Sequence, residues 1–142
     1  MLSQTAEHAL RAVLYLARRG DRGPVPAEAI AEALGAPRNY LSKTLHALAK
    51  RGVVVGVRGP SGGFRLAVDP AELPVARIVD AFDAPAERRV CLLGGAPCDG
   101  RHPCAAHANW QRVVAEVTAP LRHTTVAELL GSGGGAVVAR SG

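Results

Sequence analysis

The chain has 142 residues, 48% hydrophobic but only 4% aromatic, and its 17 Lys/Arg against 12 Asp/Glu give a net charge of +5. That length fits one domain, or a small domain plus an arm, with a core of Ala, Val and Leu. The absence of a run of about eighteen apolar residues argues against a membrane span, and the absence of a charged-then-apolar leader argues against secretion, so a cytoplasmic protein is expected.

The elements read clearly in chain order. Residues 4–19, QTAEHALRAVLYLARR, predict a helix, because Ala6, Ala9, Leu10, Val13, Leu16 and Ala17 recur at the three-and-four spacing of one buried face. Ser3 is placed to cap it and Gly20 to stop it. After the loop GDRGP, the stretch VPAEAIAEAL predicts a second helix with Ile30 and Leu34 inward, closed by Gly35. APRNYLSKTLHALAKRG follows at once as a third, with Leu41, Leu45 and Leu48 on one face and Arg38, Asn39, Ser42, Lys43 and His46 on others. Two short helices across a tight turn make a helix-turn-helix. VVVGVRGPSGGFRLAV then reads as a hairpin whose Gly/Pro/Ser turn projects as a loop. The fold class is therefore mostly α with a small β-hairpin, a winged helix-turn-helix.

DPAELPVARIVDAFD predicts one short capped helix with Val75, Ile78, Val79 and Phe82 on one side. Residues 105–121 predict a long helix with an apolar stripe of Trp110, Val113, Val114, Val117 and Leu121, and with Pro120 near its end, where it fits termination more than a mid-helix kink. TTVAELL carries a Thr-x-x-Glu capping pattern for a last turn or two, and GSGGGAVVARSG reads as a flexible tail. The expected organisation is a DNA-binding unit over 1–83, a cysteine loop over 84–104, a helical region over 105–130 and a tail over 131–142.

The charge is unevenly placed. Residues 1–68 hold ten Lys/Arg and four Asp/Glu, while residues 69–142 hold seven and eight. From Pro37 to Arg65 there are six basic residues and no acid. Such a one-sided field is the footprint of a polyanion. It falls on the two elements a winged helix presents to double-stranded DNA. Arg38, Asn39, Tyr40, Ser42 and Lys43 at the start of the third helix face base edges and phosphates, with Arg51 at its end. The wing offers Arg58, and Gly59 and Gly62 allow close backbone approach. The plainer alternative, a solvated basic face on a protein-binding module, does not explain why charge, helix-turn-helix and wing coincide.

All three cysteines lie on one Gly/Pro-rich stretch, as Cys91, Cys98 and Cys104, in the pattern C-x6-C-x5-C-x2-H ending at His107. An odd number of cysteines in a cytosolic chain points to metal or redox chemistry. Thiolates suit iron–sulfur clusters and zinc, but zinc sites usually carry paired C-x2-4-C chelates, which this loop lacks. Three thiolates leave a fourth position, for which His107 and Glu7 are candidates. Two alternatives stay open: a metal-free thiol switch, with Arg101 and His102 lowering a thiol pKa, and a zinc-stabilised module that binds proteins. A small iron–sulfur electron carrier fits the basic helix poorly. No nucleophile–base constellation or phosphate loop marks an enzyme.

The segments LSQTAEHALRAVLYLA, RNYLSKTLHALAKRGVV, VRGPSGGFRLA and the three cysteines followed by AAH together resemble the Rrf2 family of bacterial winged-helix regulators, over nearly the whole chain. The resemblance implies a homodimer, packed through the long helix and its stripe, on a palindromic operator. It implies a [2Fe–2S] or [4Fe–4S] cluster on Cys91, Cys98 and Cys104. Its IscR-like members use a histidine placed as His107 is, and its NsrR-like members a first-helix carboxylate placed as Glu7 is. The function so implied is a repressor gated by nitric oxide, redox state or cluster supply.

Overall fold

The computed structural model describes residues 2–83 and 107–131. Helix α1, Gln4–Arg19, has its start capped by the Ser3 hydroxyl, which accepts from Ala6 N at 3.1 Å. The residues of the expected face are covered, but Ala12 and Leu14 are fully buried as well. The buried arc is wider than one stripe because α1 is packed from several sides at once, by the helices and the hairpin described below. Its alanines make this possible: Ala6, Ala9 and Ala12 are all at 0% exposure, and small side chains let neighbouring elements approach closely.

Helix α2, Ala27–Leu34, begins after Pro26 and ends at Gly35, whose left-handed backbone lets its N–H reach the last carbonyls. Helix α3, Arg38–Lys50, begins after Pro37 and buries Leu41, Thr44, Leu45 and Leu48. The hairpin pairs β1, Val54–Val57, with β2, Gly63–Leu66, in the register Val54↔Leu66 to Val57↔Gly63. It is not free-standing. Val25, just before α2, bridges Phe64 with both backbone bonds made, at 2.9 and 2.8 Å. That bridge ties the wing to the helix-turn-helix, and Phe64 joins the core.

The tie depends on Gly63. Its φ is +151°, and a Cβ there would stand 2.3 Å from the carbonyl carbon and oxygen of Val25. Only a residue without a Cβ allows the two strands so close.

The single helix expected over 70–82 is replaced by two pieces. Asp69 caps a 3-10 turn, Pro70–Glu72, and α4 spans Val75–Val79. Pro74 is the cause: the residue before a proline is driven out of the helical region, and Leu73 is extended at φ −103°, ψ 101°. The break has a use. The extended step pairs with residues 124–126, through Val75 N to Thr124 O and Val126 N to Leu73 O, both 2.9 Å.

Helix α5, His107–His123, runs three residues past Pro120, which sits in its last turn, near the end as expected. There the proline forfeits one backbone bond, while Thr124 N still donates to Pro120 O at 2.9 Å. Helix α6, Val126–Gly131, opens on the expected capping box: Thr125 N donates to the Glu128 carboxylate at 2.8 Å, and Glu128 N to the Thr125 hydroxyl at 3.3 Å. Gly131, expected to begin the tail, is the last residue of this helix. Val126 is fully buried in the same core as α1 and α3. The boundary expected near residue 83 is thus crossed by packing, and the end of the chain's described part closes onto its beginning.

Gly63→Ala should lower the unfolding free energy by about 2–4 kcal/mol, from overpacking and backbone strain together. Gly23, also at positive φ but with open space around it, supplies the control. Gly23→Ala carries only the strain, about 1 kcal/mol. Urea unfolding of both variants checks this; equal losses would mean that the Val25–Phe64 approach does not constrain the wing.

Candidate nucleic-acid interface

Opposite the buried leucines, α3 presents a continuous outer stripe. At 100° per residue, Asn39, Lys43, His46 and Lys50 fall within about 60° of one another, with Ser42 at the edge. Asn39, Lys43, His46 and Lys50 are exposed and Ser42 is half-buried. Arg38 is exposed at the head of the helix, 3.8 Å from Glu28, both side chains about two-thirds exposed. An ion pair so open and so long contributes little, and leaves the guanidinium available to a stronger anion. Arg51 closes the helix with its side chain exposed, while its carbonyl accepts from Arg77 Nη2 at 3.2 Å.

Tyr40 behaves differently from its neighbours. It is half-buried and turned onto α1, where its hydroxyl donates to Thr5 Oγ1 at 2.5 Å and its ring meets His8 edge-on at 5.5 Å. Thr44, buried one turn on, donates back to the Tyr40 carbonyl at 3.0 Å. The start of α3 is therefore fixed to the first half of α1 by polar contacts as well as by the leucines. Nothing in the sequence pairs positions 5 and 40; the contact exists only once the helices cross.

In the wing, Arg58 is exposed at the base of the loop and Gly59 lies at its tip, accepting from Gly62 N at 2.9 Å. A Cβ on Gly62 would lie 2.2 Å from the Val57 carbonyl oxygen, so that glycine shapes the turn itself. The outer face of the hairpin carries exposed Val55 and Val57, with exposed Arg65 opposite Val55.

The other end of the molecule is described in part. Cys91, Cys98 and Cys104 lie outside the described residues. His107 is the first residue of α5, and its side chain also lies outside them, as do those of Trp110, Val114 and Val117. Val113 is 47% exposed and Leu121 half-buried. Glu7 is exposed on the first turn of α1, its carboxylate 2.6 Å from Arg11 Nη2. Asp83, where the described chain stops before the cysteines, accepts from Ser3 N at 2.7 Å. Ser3 O in turn accepts from Glu7 N at 3.0 Å. The cysteine segment thus departs from beside the turn of α1 that carries Glu7. Among the described residues no group of His, Cys, Asp and Glu could hold a metal ion, and no helix is long and apolar enough to cross a membrane.

Comparison with known proteins agrees with this architecture. Residues 2–132 match the model of the Rrf2 family, described as iron-dependent transcriptional regulators. A putative HTH-type transcriptional regulator of Aquifex aeolicus is 36% identical over 132 residues, covering 92% of this chain and 91% of that protein. The HTH-type transcriptional regulator IscR of Cronobacter sakazakii is 33% identical, covering 91% and 79%. Among solved structures, T. potens IscR superposes with a TM-score of 0.73 at 26% identity, over 93% of this chain and 87% of that one. CymR, the global cysteine regulator of B. subtilis, superposes with 0.75 at 23% identity, over 93% and 97%, and so shares the fold. The chain belongs to the Rrf2 family; these relatives are transcriptional regulators and not enzymes.

Arg58→Ala should weaken binding to any duplex, whatever its sequence, and lower the salt dependence of log K by about 0.9, one phosphate contact. Anisotropy titrations over a range of salt concentrations measure both. An unchanged slope would place the wing away from the DNA backbone.

Proposed function

We propose that this Rrf2-family transcriptional regulator is a homodimeric DNA-binding repressor whose hold on a palindromic operator is set by an iron–sulfur cluster. Cys91, Cys98 and Cys104 would supply three ligands and His107 or Glu7 the fourth. The signal would be nitric oxide, redox state or cluster supply.

One observation carries the reading. The start of α1 touches both the head of α3 and Asp83, the last described residue before the cysteine segment. Ser3 holds Asp83, from which the cysteine segment leaves, and Thr5 and His8 hold Tyr40 at the head of α3. Ser3, the N-cap of α1, and Thr5 and His8 on its first turns therefore lie between Asp83 and the contact that positions the head of α3. A helix does not bend over so short a span, so a displacement at Ser3 or Glu7 reaches Tyr40. The donor set supports the reading as well. Three thiolates suit iron–sulfur clusters, and a carboxylate or imidazole is the harder, more readily exchanged corner. When bound, the cluster supplies that breakable corner. Glu7 is paired with Arg11 through one carboxylate oxygen, and would serve there through the other or by exchanging that partner.

The iron-dependence in the family's description and the IscR name of relatives support the iron side. The apolar spacing of Trp110, Val113, Val114, Val117 and Leu121 in the sequence, with Val113 exposed on α5, supports a partner helix covering that stripe. The position of Asn39, Lys43 and Lys50 on one exposed face supports operator contact. The same sites allow gating only if the two cluster states favour different spacings of the two recognition helices.

Anaerobic purification with a visible spectrum and iron and sulfide counting tests the assignment. The expected wild-type protein is coloured. Cys98→Ala should lose the colour yet keep the wild-type helical content. Of Glu7→Gln and His107→Gln, one should change the spectrum and the other leave it unmoved. A colourless wild-type protein that binds DNA in only one thiol oxidation state would replace the cluster with a thiol switch.

A further inference from the structure

His46 differs from the other residues of the outer stripe of α3 in also touching the wing strand β2. It is exposed in the middle of the outer stripe of α3, one turn from Lys43 on one side and from Lys50 on the other. Its ring also meets the Phe64 ring edge-on, with centroids 5.3 Å apart and planes at 80°. Phe64 belongs to β2, so the imidazole is set in the angle between the recognition helix and the wing. That angle is where a nucleic-acid backbone must pass if the helix enters a groove and the hairpin lies beside it.

We propose that His46 is a phosphate-contacting residue of this interface and that it makes the contact only as imidazolium, a proposal that rests on the DNA-binding reading above. The edge-on contact with Phe64 ties the imidazole to β2. On the two elements it joins, the charged residues nearest in sequence are basic: Lys43 and Lys50 flank it on α3, Arg65 follows Phe64 on β2, and Arg58 stands at the base of the wing. The segment bridged to Phe64 at Val25 is flanked by Asp21, Arg22 and Glu28, and the Glu28 carboxylate is turned to Arg38 at the head of α3. On this basic face a phosphate is the anion that a protonated His46 would meet. Histidine is the side chain that changes charge between about pH 5 and 8. If a bound phosphate favours the charged ring, linkage requires the converse: affinity for DNA rises as pH falls. The four fixed cations supply a base affinity independent of pH, and His46 adds a contact that responds to it.

The test uses an unselected duplex of about 20 base pairs, because phosphate contacts do not depend on sequence. Affinity is measured at low salt near pH 6 and pH 8 for the wild type, His46→Gln and His46→Lys, with circular dichroism confirming that the exposed substitutions leave the fold intact. Near pH 6 the wild type should bind about 3–10-fold more tightly than His46→Gln, with a salt slope steeper by up to about 0.9. Near pH 8 those two should converge. His46→Lys should exceed His46→Gln by the same factor at both pH values. The comparison between variants removes the contribution of the other histidines. A wild-type-to-Gln ratio that is the same at both pH values would overturn the proposal while leaving DNA binding intact. Absence of binding by every form at both pH values would remove the DNA-binding reading itself.

Discussion

The rest of the structure depends on how tightly α1 is enclosed. Its alanines at positions 6, 9 and 12 leave no exposed surface and its Val13 and Leu14 none either, so α3, α4 and α6 press on it from different sides. Close-packed interiors transmit displacement because they have few voids to absorb it. A helix held this way cannot shift at one end alone. The hairpin is drawn into the same body by the Val25–Phe64 bridge, and the far end of the chain by Val126. The helix-turn-helix, the wing and the base of the long helix therefore move together or not at all.

That enclosure explains a division of labour along α1. Its buried residues are apolar. The polar ones at its start, the N-cap Ser3 and then Thr5, Glu7 and His8, reach three partners: Ser3 meets Asp83, Thr5 and His8 both meet Tyr40, and Glu7 meets Arg11. The start of α1, beside Asp83, thus carries several of its polar contacts. A regulator that reads a metal centre needs such a place, where a change of ligand is small in energy but cannot be absorbed locally. Coupling between sites is typically worth about 1–3 kcal/mol, within reach of one lost hydrogen bond and one exchanged ion pair.

Much of this was legible in the sequence, because the elements that matter are written in short-range signals. The apolar spacing of α1, the glycines at 20, 35 and 52, the alternation around RGPSGG and the Thr125–Glu128 box each act within a few residues. The winged helix follows from their order. What the sequence concealed was non-local. Ala12 and Leu14 are buried only because other elements close over them. Tyr40 reads as a DNA-facing residue by its place at the head of α3, yet crossing helices turn it onto Thr5 and His8. The split at Pro74 was open to inspection, since a proline within a predicted helix is a local signal; its purpose, pairing with residues 124–126, was not. His46 looked like one polar helix residue among several until Phe64 was placed beside it.

The central claim is that the cysteine end governs the DNA-reading end through α1. The most direct measurement is the affinity of anaerobically purified protein for a duplex selected from a random pool, taken before and after removal of its iron. Affinity should change by about 5–150-fold between the two states, with the fold content unaltered. Equal affinities in both states, with the same duplex and salt, would contradict it.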